Sequence, residues 1–145
     1  MRHLIRKSKQ RGLAAIEFVM MTPLLIVFMT ICLELGNLLV EYQALNKAVR
    51  NGARYAVTAI YGTATTNQIA PTTEIQNVVV YGANVDSGTA VLDGLTTENV
   101  SVSLSDELVT VTATFDYVPT FATLPFLGND MSINFSASAV MEAGL

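Results

Sequence analysis

The side chains able to do covalent or acid–base chemistry are few in this sequence, and their placement works against an active site. The single His, His3, lies in a basic leader, and the single Cys, Cys32, lies inside an apolar run. No G-x-S-x-G stretch and no His-rich metal spacing occurs. Asp86, Asp93, Glu98, Asp106 and Glu107 are spread over turns without the ligand spacing of a calcium loop, and solubilising turns account for them. Neither an enzyme nor a metal or other cofactor is therefore expected. The acidic residue in the most demanding position is Glu17, near the start of an apolar segment. A charge at mid-bilayer costs about 2.5–3.5 kcal/mol even on the lenient insertion scale. Either Glu17 lies close enough to the interface to reach water, or it pairs with a cation supplied by a partner within the membrane.

The element that carries Glu17 reads as a membrane anchor. Residues 18–33, FVMMTPLLIVFMTICL, hold sixteen positions without a charge. Extended over residues 13–35, the segment gives about 34 Å of helix, enough to cross a bilayer core. A cleaved secretory signal has a shorter core followed by a small-residue site, and no A-x-A site follows here, so the segment is expected to stay in the product. Pro23 removes a backbone donor and disturbs the bond to the carbonyl of Val19, which predicts a kink or local loosening. Thr22 is placed to satisfy a freed group. Cys32, alone and within the span, excludes an intramolecular disulfide, so packing alone must hold whatever is exported.

Charge gives the topology. All eight Lys and Arg residues lie at or before Arg54, and residues 55–145 contain nine acidic residues and no basic one. Residues 1–12 hold five cations, whereas the 145-residue chain as a whole is at −4. The positive-inside rule puts this basic leader in the cytoplasm and the acidic remainder outside. Nucleic acid is excluded as a partner, because the exported part has nothing with which to neutralise phosphates.

Past the span the helical period continues. Leu38, Tyr42, Leu45, Val49, Ala53, Ala56 and Ile60 recur at three- and four-residue steps, predicting one apolar stripe that packs on an exported sheet. Gly36 and Gly52 are the weak points of this helix, each costing about 1 kcal/mol relative to Ala. If unbroken, residues 13–60 make a helix of about 72 Å. Residues 62–73 read as a loop. Residues 74–82 stay open between helix and strand, leaning to a short helix: Thr73 with Gln76 resembles a capping box, while Val78, Val79 and Val80 favour a strand. Residues 83–98 are turn-rich. Three strands follow. Val100, Val102 and Leu104 alternate with serines, Val109 to Tyr117 alternate with Thr and Asp, and a last strand is expected at about 132–141. Asp106 and Glu107 make a hairpin turn, and Pro119 and Pro125 bound a loop. The predicted fold class is α+β, a long N-terminal transmembrane and amphipathic helix packed on a small antiparallel sheet. The expected divisions are a leader (1–12), a transmembrane helix (13–36), its continuation (37–61) and an exported domain (62–145).

Residues 11–56, RGLAAIEFVMMTPLLIVFMTICLELGNLLVEYQALNKAVRNGARYA, resemble the TadE-like pseudopilins of tight-adherence (Tad, Flp) pilus systems. The likeness rests on Gly12, then Glu17 and Phe18, an apolar run interrupted by Pro23, Glu34 with Gly36, and the tail from Val49 to Ala56. It covers about a third of the chain, with Val49 standing where the family has Ala and Phe18 where Tyr is frequent. The resemblance implies a type IV pilin-like fold in the bacterial inner membrane, N-terminus cytoplasmic and C-terminal domain periplasmic. It implies cutting after Gly12 by a prepilin peptidase, with Leu13 as the new N-terminus, and pairing of Glu17 with the N-terminal amine of a neighbouring subunit. Tyr42, Arg50, Arg54 and Tyr55, with Gly36 and Gly52, then fall at the helix–domain junction, where Arg50 and Arg54 bind partners such as Glu41 or carbonyls unless they form a solvated face. The implied partners are the peptidase, other pilins or pseudopilins, the Tad inner-membrane assembly platform and the membrane itself. A minor pilin needed for initiation or for the tip of an adhesive pilus is the first reading. A major type IVb-like subunit and a non-cleaved single-pass periplasmic sensor are the alternatives.

Overall fold

The computed structural model describes residues 5–59, 69–120 and 133–143, with side chains from residue 12 onward. The leader's His3, the stripe residue Ile60, most of the 62–73 loop, Pro125 and the predicted first residue of the last strand, Ser132, lie outside these residues. One long helix, α1 (Ile5–Thr58), opens the chain. It is helical throughout, including at Pro23, Gly36 and Gly52. The Thr22 hydroxyl donates to the carbonyl of Phe18 at 2.9 Å, not to that of Val19, which the ring of Pro23 deprives of its donor.

The chain divides into two compact units at Gly36. In the first, large apolar side chains of α1 from Leu13 to Leu35 stand mostly exposed, as a segment surrounded by hydrocarbon requires. The helix is long and apolar enough to cross a membrane, with a mean hydropathy of 2.3 over its qualifying window. Two polar residues one turn apart are buried instead: Thr30, whose hydroxyl donates to the carbonyl of Ile26 at 2.9 Å, and Glu34.

The second unit begins at Asn37 and holds the α+β body. Leu45, Ala48, Val49, Ala53 and Ala56 of α1 are buried in one core with the rest of this unit. Tyr42 departs from the expected stripe: it is 41 % exposed, though its ring meets Phe135 edge-on at 5.6 Å. A second helix, α2 (Thr72–Tyr81), buries Ile75, Val78, Val79 and Val80. Its spacing of buried residues resolves the open choice between helix and strand. The expected capping box of Thr73 and Gln76 does not form. Thr73 already lies inside the first turn, Pro71 precedes the helix, and the Gln76 amide donates to the carbonyl of Val100 at 2.9 Å. Gly82, at φ 76°, closes α2 in the left-handed conformation, its N–H bonding the Val78 carbonyl.

The turn-rich stretch supplies core as well as turns, since Leu92 and Leu95 are both buried. A single 3-10 turn at Thr97–Asn99 leads into β1 (Val100–Ser105), followed by β2 (Leu108–Tyr117) and β3 (Ile133–Glu142). The strands form an antiparallel meander in the order β1-β2-β3. Every second residue of β2, from Val109 to Tyr117, is buried, as its alternation requires. The apolar face thins out on β1, where Leu104 is exposed, so the β1–β2 hairpin extends past the core. Asp106 and Glu107 form its two-residue turn with φ of 49° and 67°. Positive φ at both positions is the backbone of a type I′ turn, which Asn-Gly satisfies at least cost.

Candidate processing and docking site

The residues singled out by spacing fall into two groups, and the structure treats them differently. Gly12, Leu13 and Glu17 all lie on exposed helix near the start of the apolar segment. A Cβ added at Gly12 would meet no neighbour within 4 Å, so no packing within the chain calls for glycine there. Glu17 stands one turn beyond Leu13, and the two border an open depression with Ile16, Met20 and Met21. The carboxylate is thus presented to the surroundings of the helix within a ring of apolar side chains. Such an arrangement is costly in hydrocarbon unless a cation or water reaches it.

Gly36 resembles Gly12 in having open space where a side chain would go. Gly52 is the opposite. It is buried, and a Cβ there would collide with Cγ2 of Val79 on α2 and touch the backbone and side chain of Ile75. The glycine lets the two helices approach closely, a requirement stronger than its helix-propensity cost.

Tyr55 is tied into the domain by its hydroxyl. It donates to Oε2 of Glu74 at 2.7 Å and accepts from the amide of Asn84 at 3.1 Å, so α1, α2 and the turn after α2 share one polar chain. The bond to the Glu74 carboxylate, with some burial, holds the phenol above its ordinary range. Arg50 and Arg54 are exposed and have no ion pair with Glu41 or any other carboxylate among the described residues. Lys47 and Arg50 border an open groove with Tyr42, Gln43, Asn46 and Asn51, and Arg54 follows one helical turn beyond Arg50. The polar chain of Tyr55, Glu74 and Asn84, and the burial of Thr30 and Glu34, are not legible in the sequence. The former joins positions 19 and 29 residues apart, which no local pattern reveals.

No group of three or more His, Cys, Asp or Glu side chains able to hold a metal occurs among the described residues. Cys32 is a free, exposed thiol. The family model described as TadE-like protein matches residues 12–54, beginning at Gly12 and ending at Arg54. No curated protein and no solved structure matches the chain.

Proposed function

With a TadE-like segment over residues 12–54, a family of pilus components rather than enzymes, we propose that the protein is a minor pilin required to assemble a Tad/Flp-type pilus used in surface attachment. A prepilin peptidase cuts after Gly12, where only a minimal side chain fits beside the scissile bond. The basic leader of residues 1–12 stays in the cytoplasm, residues 13–36 cross the inner membrane, and the domain beyond faces the periplasm. Leu13 becomes the mature N-terminus and its amine gains a positive charge. Glu17 of a neighbouring pilin pairs with that amine, which offsets the cost of both charges in the membrane and sets the axial stagger between subunits.

The observation that carries this reading is the coincidence of the family match with an exposed carboxylate five residues past a glycine that the chain's own packing does not need. The decisive measurement is the intact mass of protein extracted from membranes of peptidase-competent cells. A chain starting at Leu13 is expected, and Gly12→Leu should leave the leader in place. An uncut wild-type chain would sink the reading. Glu17→Ala is expected to be cut normally yet fail to support pili, scored by electron microscopy of the cells.

A further inference from the structure

Lys47, Arg50 and Arg54 are the only cations on the described part of the chain beyond residue 12, and all three are exposed. At 3.6 residues per turn they fall within about 60° of one another, on the side of α1 roughly opposite the buried Leu45, Val49, Gly52 and Ala56. None of the three cations has an ion pair with a carboxylate among the described residues.

At the far end of the sheet the sign is reversed. The β1–β2 hairpin presents Asp106 and Glu107, both exposed, and the β-register sets Glu142 opposite Leu108 beside them. The Ala143 N–H bonds the Glu107 carbonyl at 2.7 Å, fastening the end of β3 to this turn. Three other acids of the domain are engaged, Glu74 by Tyr55, Asp86 by Asn77 and Asp116 by Asn134, while the exposed Asp93 and Glu98 stand singly in the turns before β1. Asp106, Glu107 and Glu142 have no side-chain partner among the described residues. Phe135 sits against Tyr42, and the turn lies about seven residues along the strands from that contact, or about 23 Å.

We propose that the Lys47–Arg50–Arg54 face of α1 docks the acidic β1–β2 hairpin tip of a second copy of this chain. The inference rests on the anchored, assembling topology described above, though not on the cut after Gly12. Anionic lipid is the less suitable occupant. Val40 is the last large aliphatic side chain exposed on α1, and Arg50 and Arg54 lie about 15 and 21 Å farther along the axis. The headgroup layer is only about 5–8 Å deep on each side of the hydrocarbon. Three cations over two turns also match three carboxylates gathered at one hairpin end, and opposite charges so arranged fix register between partners.

The test uses the full chain in its membrane, with Cys32→Ser removing the native thiol. Two differently tagged copies are expressed together, one bearing Asn51→Cys beside the cationic face and the other Ser105→Cys beside the hairpin tip; both positions are exposed. A disulfide-linked pair of the two tags is expected under mild oxidation. Reversing the face (K47E/R50E/R54E) should lower its yield about fivefold, as should salt near 1 M, because exposed pairs are screened. D106N/E107G should lower it similarly while the domain melts no earlier, since Asn-Gly suits the type I′ turn better than the native pair. D106K/E107K combined with the reversed face should restore it. A yield indifferent to charge on either side overturns the proposal. So does loss of retention on anionic phospholipid vesicles by K47E/R50E/R54E with cross-linking unchanged, which would assign the face to lipid. An uncut N-terminus in samples that cross-link charge-dependently counts against processing and supports the docking.

Discussion

Gly36 and Gly52 look alike in the sequence, each an isolated glycine in a long helix, yet only one is held by its surroundings. At Gly52 the neighbour is Val79, a short β-branched side chain with one preferred rotamer and little room to move. Gly52→Ala should therefore destabilise the domain by about 1–3 kcal/mol despite the better helix propensity of Ala. Thermal or urea unfolding of detergent-extracted protein followed by circular dichroism measures this, and Val79→Ala in the same chain should recover part of the loss. Gly36→Ala should leave stability unchanged or raise it by up to about 1 kcal/mol, because nothing stands where the methyl group would go. Tyr55→Phe removes the bonds to Glu74 and Asn84 and should cost about 1 kcal/mol at neutral pH. The native phenol titrates above its unfolded value near 10. Its contribution is therefore fully present below that value and lost as pH climbs through the raised native one. The stability gap between wild type and Tyr55→Phe should close in that alkaline window and nowhere below it.

At the scale of elements, α2 shows where local propensity misleads. Val78, Val79 and Val80 favour a strand one by one. The three- and four-residue spacing from Ile75 to Val78 and Val79, with Gly82 ready to take the left-handed cap, favours the helix, and that pattern prevails because it buries one continuous face against α1. Gly82 was the signal available in advance. Gln76, which looked like half of a capping box, serves the sheet instead. It satisfies the Val100 carbonyl at the start of β1, an edge strand with unpaired groups to cover. Gln76→Ala should cost about 1 kcal/mol and speed amide exchange in β1 ahead of β2, which is paired on both sides. The strands themselves were legible because period-two alternation is a local property, and β2 follows it residue by residue.

Over the whole molecule, the parts legible in the sequence are those whose meaning does not depend on folding. A basic leader, an apolar span and a Gly12–Glu17 spacing are linear features, and in the function proposed above a membrane and a peptidase would read them linearly, so they stand out in a linear text. Helix packing at Gly52, the Tyr55 chain and the burial of Leu92 and Leu95 depend on residues brought from far along the chain, and no window of sequence holds both partners. The processing proposed above would be visible in bulk charge. Residues 1–12 contain five of the eight cations and no acid, so their removal takes the formal charge from −4 to −9. The mature chain should focus well below the full-length pI near 4.8, a shift that Gly12→Leu abolishes.

The cationic face on α1 also decides which reagents can report on this protein. Arg54 is the last site for trypsin, so residues 55–145 leave a complete digest as one 91-residue fragment that peptide mapping will tend to miss. Lysines occur at positions 7, 9 and 47 alone, and a chain cut after Gly12 keeps only Lys47. An amine-reactive label would then have two targets, the α-amine of Leu13 and the side chain of Lys47. In the contacts proposed above, one would lie against Glu17 and the other against the hairpin tip, so a single footprinting reaction before and after assembly would read both interfaces at once.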